Sequence, residues 1–169
     1  MKIDIPDGFV KVESPREKTR RIKAEGCKRF LTAKQNGTYM YRNDYGKQRL
    51  YRNERIALRN IPASVYEMTL EELTVATGNI FADERVKAID PFPGENVYVE
   101  NSCKNGAVAY PFERRMRFGA SKSNFTLYHE IAHILTPGNG HGNEFCRVMC
   151  MLIEWFENQD AAEHMRRYL

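Results

Sequence analysis

The chain has 169 residues and a formal net charge of +4, the length of one domain with an accessory segment and enough to bury a real core. No run of about 18 apolar residues is present, and Met1-Lys2-Ile3-Asp4-Ile5-Pro6 lacks the apolar stretch of a signal peptide. A membrane protein is therefore not expected, and the expected location is the cytoplasm. The four cysteines, Cys27, Cys103, Cys146 and Cys150, form no C-x-x-C pair, which argues against a cysteine-bound structural zinc.

The charge is unevenly spread. Residues 1–60 hold 16 Lys and Arg against 7 Asp and Glu, whereas residues 61–169 are mildly acidic. Two regions are expected from this split: a basic N-terminal region over 1–60, and a mildly acidic domain over 61–169. The basic half suits either an anionic partner or an ordinary solvated surface.

In chain order, Pro15 is placed to start a polar helix running to about Lys34, with Gly26 weakening its middle. Two short tyrosine-bearing segments then flank Asn43-Asp44-Tyr45-Gly46, which predicts a β-hairpin over Thr38–Arg52. Tyr39 and Tyr41 alternate there with Arg42, Lys47, Arg49 and Arg52. Aromatic faces that stack on bases, beside cations that neutralise phosphates, make these six residues a candidate contact for DNA or RNA. Tyrosine is also a common strand former, so a plain solvated hairpin fits the same pattern.

Thr69-Leu70-Glu71-Glu72 is a capping box that opens a helix, which Gly78-Asn79 is expected to end. Asp90-Pro91-Phe92-Pro93-Gly94 predicts a rigid turn. Strands are expected at Asn96–Glu100, Ala107–Tyr110 and Arg114–Gly119, and Met116–Gly119 is a candidate free edge for an extended peptide. Ser121 or Ser123 can cap a helix from about Asn124 to Leu135. A second amphipathic helix is expected over Asn143–Glu157, and a short third one over Ala161–Leu169. Cys146 and Cys150 suit small buried positions on the second of these, and His164 on the third suits a solvated surface.

The chemistry concentrates in His129-Glu130-Ile131-Ala132-His133, an H-E-x-x-H sequence. Residues four apart share one face of a helix, so His129 and His133 can grip one metal ion from adjacent turns. Glu130 lies one residue round, where it can take a proton from a water that the metal activates. The surrounding Phe125, Leu127, Ile131, Ile134 and Leu135 bury this helix, and two imidazoles and a carboxylate are costly there unless paired or metal-bound. Pro137-Gly138 stops the helix, and the glycine-rich loop that follows delivers a third ligand candidate, His141. Glu144 is a rival to His141 or an outer partner of the site, and Gly142 permits a close backbone approach. Tyr110, Tyr128 and Arg117 are open candidates for stabilising an oxyanion.

Laid out as H-E-x-x-H, a linker of seven residues, and His141-Gly142-Asn143-Glu144-Phe145, the segment resembles the SprT-like and Spartan-type zinc metalloproteases. It is also similar to short metallopeptidase-like proteins from phages and actinobacteria. The resemblance covers about residues 115–158. It implies Zn2+ bound by His129, His133 and His141, with Glu130 as general base. It further implies a protein or peptide substrate, in Spartan-type members one associated with DNA. The linker is short for the group and no zinc ribbon follows, so nucleic-acid contact is expected from residues 16–59 instead.

The expected fold class is α+β: a small zincin-like mixed sheet packed on the H-E-x-x-H helix and a following bracing helix, preceded by a basic helix and hairpin. The expected function is zinc-dependent peptide hydrolysis, on nucleic-acid-associated proteins where the basic half takes part. The alternative is a nucleic-acid-binding or virion-associated structural protein that retains a non-catalytic metal site.

Overall fold

The computed structural model describes residues 13–37, 47–102 and 105–169. Among them the fold is α+β, with seven helices and one three-stranded mixed sheet. No helix among the described residues is long and apolar enough to cross a membrane.

Helix α1 (Pro15–Gln35) begins where the sequence predicts it. Ser14 and Glu17 form a capping box, and Pro15 occupies the first turn, where its missing N–H costs nothing. Gly26, which lowers the helix propensity, has a packing reason. A Cβ there would lie 3.1 Å from the Phe112 carbonyl oxygen and 3.2 Å from Glu113 Cα. The glycine lets α1 press onto the 3-10 turn Pro111–Glu113. Two of the basic side chains of α1 are used inside the molecule: Arg21 donates to the Tyr98 hydroxyl at 3.0 Å, and Arg29 to the Phe112 carbonyl at 2.9 Å.

The expected hairpin is not formed at its second half. Lys47–Arg52 belongs to helix α2 (Lys47–Leu58), while Tyr39, Tyr41 and Arg42 lie outside the described residues. The physical reason is the apolar spacing: Leu50 and Ala57, seven apart, both enter the core, as one face of a helix requires. Lys47, Arg49 and Arg52 are exposed on this helix.

Helix α3 (Leu70–Ala82) opens with the Thr69–Glu72 capping box but runs through Gly78-Asn79 rather than ending there. Leu73, Thr77 and Ile80 form a buried stripe at helical spacing, so burial of Ile80 carries the helix one turn further. Asp83 then caps α4 (Glu84–Ile89).

The sheet contains β1 (Tyr98–Asn101), β2 (Ala107–Tyr110) and β3 (Arg115–Phe118) in the order β1-β3-β2. β1 pairs parallel to β3 with Tyr98 opposite Arg115, and β2 pairs antiparallel with Ala109 opposite Met116. β3 is therefore the centre of the sheet and not its edge, contrary to expectation. Its residues Met116 and Phe118 are fully buried, as an interior strand demands.

Helix α5 (Asn124–Leu135) runs through the middle of the molecule, buried on nearly every face. Ser123 caps it by accepting from the Thr126 amide at 3.2 Å. Asn124 fixes its entry by donating to the Ser64 carbonyl at 2.9 Å and to Glu157 at 2.7 Å. Helix α6 (Asn143–Phe156) packs on α5 through Phe145, Val148, Met149, Leu152 and Ile153. Cys150 is buried in that interface and Cys146 half-buried beside it. Helix α7 (Gln159–Arg166) closes the bundle against α6. His164 is not a free surface residue: its Nε2 donates to the Ala57 carbonyl on α2 at 3.0 Å, which ties α7 to α2.

Candidate metal centre

Helix α5 supplies His129, Glu130 and His133, and the loop after it returns His141. That loop turns through Gly138 at φ 82° and Gly140 at φ 59°, left-handed conformations that glycine adopts without strain. Gly142 also has a local reason. A Cβ there would overlap the Asn139 side chain, so the close approach it allows is to Asn139.

The three imidazoles converge through their Nε2 atoms. His141 Nε2 lies 3.1 Å from His133 Nε2 and 3.3 Å from His129 Nε2. A hydrogen-bond acceptor stands outside the cluster: His129 Nδ1 lies 3.1 Å from Glu54 Oε1 on α2. A carboxylate only accepts, so Nδ1 carries a proton, and in the neutral ring Nε2 of His129 is a bare lone pair facing the other two rings. Neutral imidazoles meet both short Nε2 contacts of His141 only through one hydrogen shared and bent between two acceptors. A shared cation needs no such hydrogen.

The separations fit one. At a zinc–nitrogen distance of about 2.0–2.1 Å, tetrahedral ligands stand about 3.3 Å apart. His129, His133 and His141 thus form a cluster able to hold a metal ion, as the sequence predicts. The Glu54–His129 pair adds the carboxylate–histidine contact that commonly orients metal ligands.

Aromatic rings pack the cluster from two sides. The fully buried Phe145 ring lies 4.5–4.9 Å from all three imidazoles, centroid to centroid. Tyr51 of α2 stacks on His129 at 5.6 Å and meets His141 edge-on at 5.0 Å. Burial opposes charge on His129, but the hydrogen bond and charge of Glu54 outweigh it and hold the ring more basic than usual. Burial and the neighbouring imidazoles push His133 far the other way, keeping it neutral and available as a ligand.

Glu130 is 5 % exposed. Burial pushes its carboxyl up to about 7, against the pull of His129 and of the Ala109 amide that donates to it. Its Oε2 is buried without a hydrogen-bond partner among the described residues. An orphaned carboxylate oxygen beside three converging imidazoles suits a site completed by water or substrate.

Other candidates are engaged elsewhere. Glu144 is exposed and pairs with Arg147 at 2.6 Å, so it is neither a ligand nor an outer partner of the cluster. The Tyr128 hydroxyl donates to Glu157 at 2.8 Å, Arg117 faces Glu100, and Tyr110 lies beneath the Arg115 guanidinium. Lys47, Arg49 and Arg52 do not form a hairpin surface. The residues that sequence reasoning missed are Tyr51 and Glu54, both on α2. Their signal was weak: Leu50, Glu54 and Ala57 share a helical face, but nothing local ties that face to His129, 75 residues on.

No protein-family model, curated protein or solved structure matches this chain.

Proposed function

We propose that the protein is a zinc-dependent metallopeptidase with a zincin-like centre of the SprT-like kind, in which His129, His133 and His141 hold the metal and Glu130 is the general base. The observation that carries this reading is the convergence of three Nε2 atoms beside a buried carboxylate with one unpaired oxygen. Zinc held there would supply Lewis acidity and lower the pKa of a water toward about 7.

The chain's own residues account for the rest. Glu130 accepts the proton of the attacking water and later returns it to the leaving amine. Burial holds this carboxyl more basic than an ordinary glutamate, which favours its taking up that proton. Phe145 and Tyr51 wall the imidazoles from solvent, which strengthens charge interactions in the site.

Substrate alignment is assigned to β2. Among the described residues it is an edge strand, it packs against α5, and the Ala109 amide reaches Glu130 instead of β3. Gly119 N donates to the Gly106 carbonyl at 3.1 Å, which sets the alternation of the ladder. The backbone groups of Ala107 and Ala109 therefore point away from β3. An extended peptide laid along this edge would pair with the backbone of Ala107 and the Ala109 carbonyl, the Ala109 amide being taken by Glu130, and would pass beside that carboxyl.

The test is cleavage of casein by purified, zinc-loaded protein. Hydrolysis is expected, with loss on treatment by a chelator and recovery on adding zinc back. Absence of cleavage by the fully zinc-loaded protein on casein and on a peptide library would count against the proposal.

A further inference from the structure

The geometry points to Glu54 as a positioning residue of the metal centre, fixing the tautomer and the ring orientation of His129 from a helix far upstream in the chain. This rests on the reading of the histidine cluster as a metal centre. Four observations carry it. Glu54 Oε1 stands 3.1 Å from Nδ1, the ring nitrogen remote from the cluster, so the carboxylate orients His129 without competing for the metal. Both side chains are largely buried, at 12 % and 7 % exposure. A carboxylate withdrawn from water to that extent is costly unless its partner repays it.

The helix is also held in place. Asn53 Nδ2 donates to the Tyr168 carbonyl at 2.8 Å, the Ala57 carbonyl accepts from His164, and Leu50 and Ala57 are buried in the core. On the adjoining face, Tyr51 stacks on His129 one turn before Glu54. Residues 47–58 thus form a wall of the centre, packed on His129 and His141 through Tyr51 and bonded to His129 through Glu54.

While Glu54 accepts from Nδ1–H, the tautomer with its proton on Nε2 is disfavoured, so the Nε2 lone pair of the neutral ring faces the other imidazoles. Without Glu54, His129 can rotate or take the other tautomer, and either change withdraws its lone pair from the metal. Outer-shell partners of metal-bound histidines commonly contribute about 10–100-fold to metal affinity.

The experiment is a zinc competition titration of full-length wild type, Glu54→Ala and Glu54→Gln, with the thermal midpoint of each metal-free protein measured alongside. Wild type is expected to bind about one zinc. Glu54→Ala should bind it about 10–100-fold more weakly. Glu54→Gln keeps an acceptor but loses the charge, so its affinity should fall between the two. Cobalt substitution should show an altered ligand-field spectrum in Glu54→Ala. A purely structural role would instead lower the metal-free midpoint and leave zinc affinity within about twofold of wild type, and that result would overturn the assignment. Should Glu54→Ala fail to fold, the same criterion applies to Glu54→Gln. Wild type that binds no zinc would overturn the metal-centre reading itself, a different outcome from unchanged affinity in the variants.

Discussion

Glu130→Gln is expected to abolish peptide hydrolysis while leaving the fold and the bound metal in place. Glutamine has nearly the same shape and still accepts from the Ala109 amide, so the packing around α5 is preserved. It cannot take a proton. General-base catalysis contributes about 10²–10⁴-fold, and a drop of at least that size in kcat is expected, with zinc content equal to wild type. Glu130 is not one of the converging nitrogen donors, so zinc should be retained. A variant that keeps zinc and cleaves at wild-type rate would remove Glu130 from the mechanism. A variant that loses zinc would make Glu130 a ligand.

The second large effect lies away from the cluster. Arg114 and Asp90 form a bidentate ion pair, both contacts at 2.7 Å, with side chains only 1 % and 3 % exposed. Arg114 also donates to the Glu95 carbonyl, and Asp90 accepts from the Phe92 amide. The pair thus pins the Pro91–Gly94 turn to the start of β3. Its partners are so fully buried that removing one strands the other. Asp90→Ala is expected to cost about 3–5 kcal/mol, the usual penalty for an uncompensated buried charge. That is a large part of the roughly 5–15 kcal/mol that holds a domain together. Chemical denaturation of the metal-free protein checks it, and a loss below about 1 kcal/mol would show that Arg114 finds another partner or water.

Much of this architecture is written locally. Pro15 and Thr69 announce helix starts, Thr69 through a side chain that meets the backbone amide three residues on. The H-E-x-x-H spacing puts two imidazoles on one helical face, and Pro137-Gly138 marks where that helix must turn back. These features depend on neighbours in sequence, which is why they are legible there. The order of the strands is not of that kind. β1, β2 and β3 are each recognisable, but the placement of β3 between the other two depends on a parallel crossover from β1 that no local pattern records. The helix at Lys47–Leu58 was hidden by a turn-like Asn-Asp-x-Gly sequence and by tyrosines that favour strands equally well. Its burial at Leu50 and Ala57 decides the matter through tertiary contacts.

The positive charge of the first 60 residues is likewise only partly a surface property. Arg21 and Arg29 hold α1 to Tyr98, Glu95 and the Phe112 carbonyl, and so serve the fold. Glu54 sits in the same stretch and faces inward, to His129. Composition alone could not separate these side chains from the exposed Arg49 and Arg52.

The central claim is that three histidines from one helix and its returning loop hold a single zinc ion. The most direct measurement is the metal content per polypeptide of protein purified without added chelator, compared between wild type and His133→Ala. About one zinc in wild type and a near-complete loss in His133→Ala is the expected result. Equal zinc content in the two proteins would place the metal elsewhere and contradict the account.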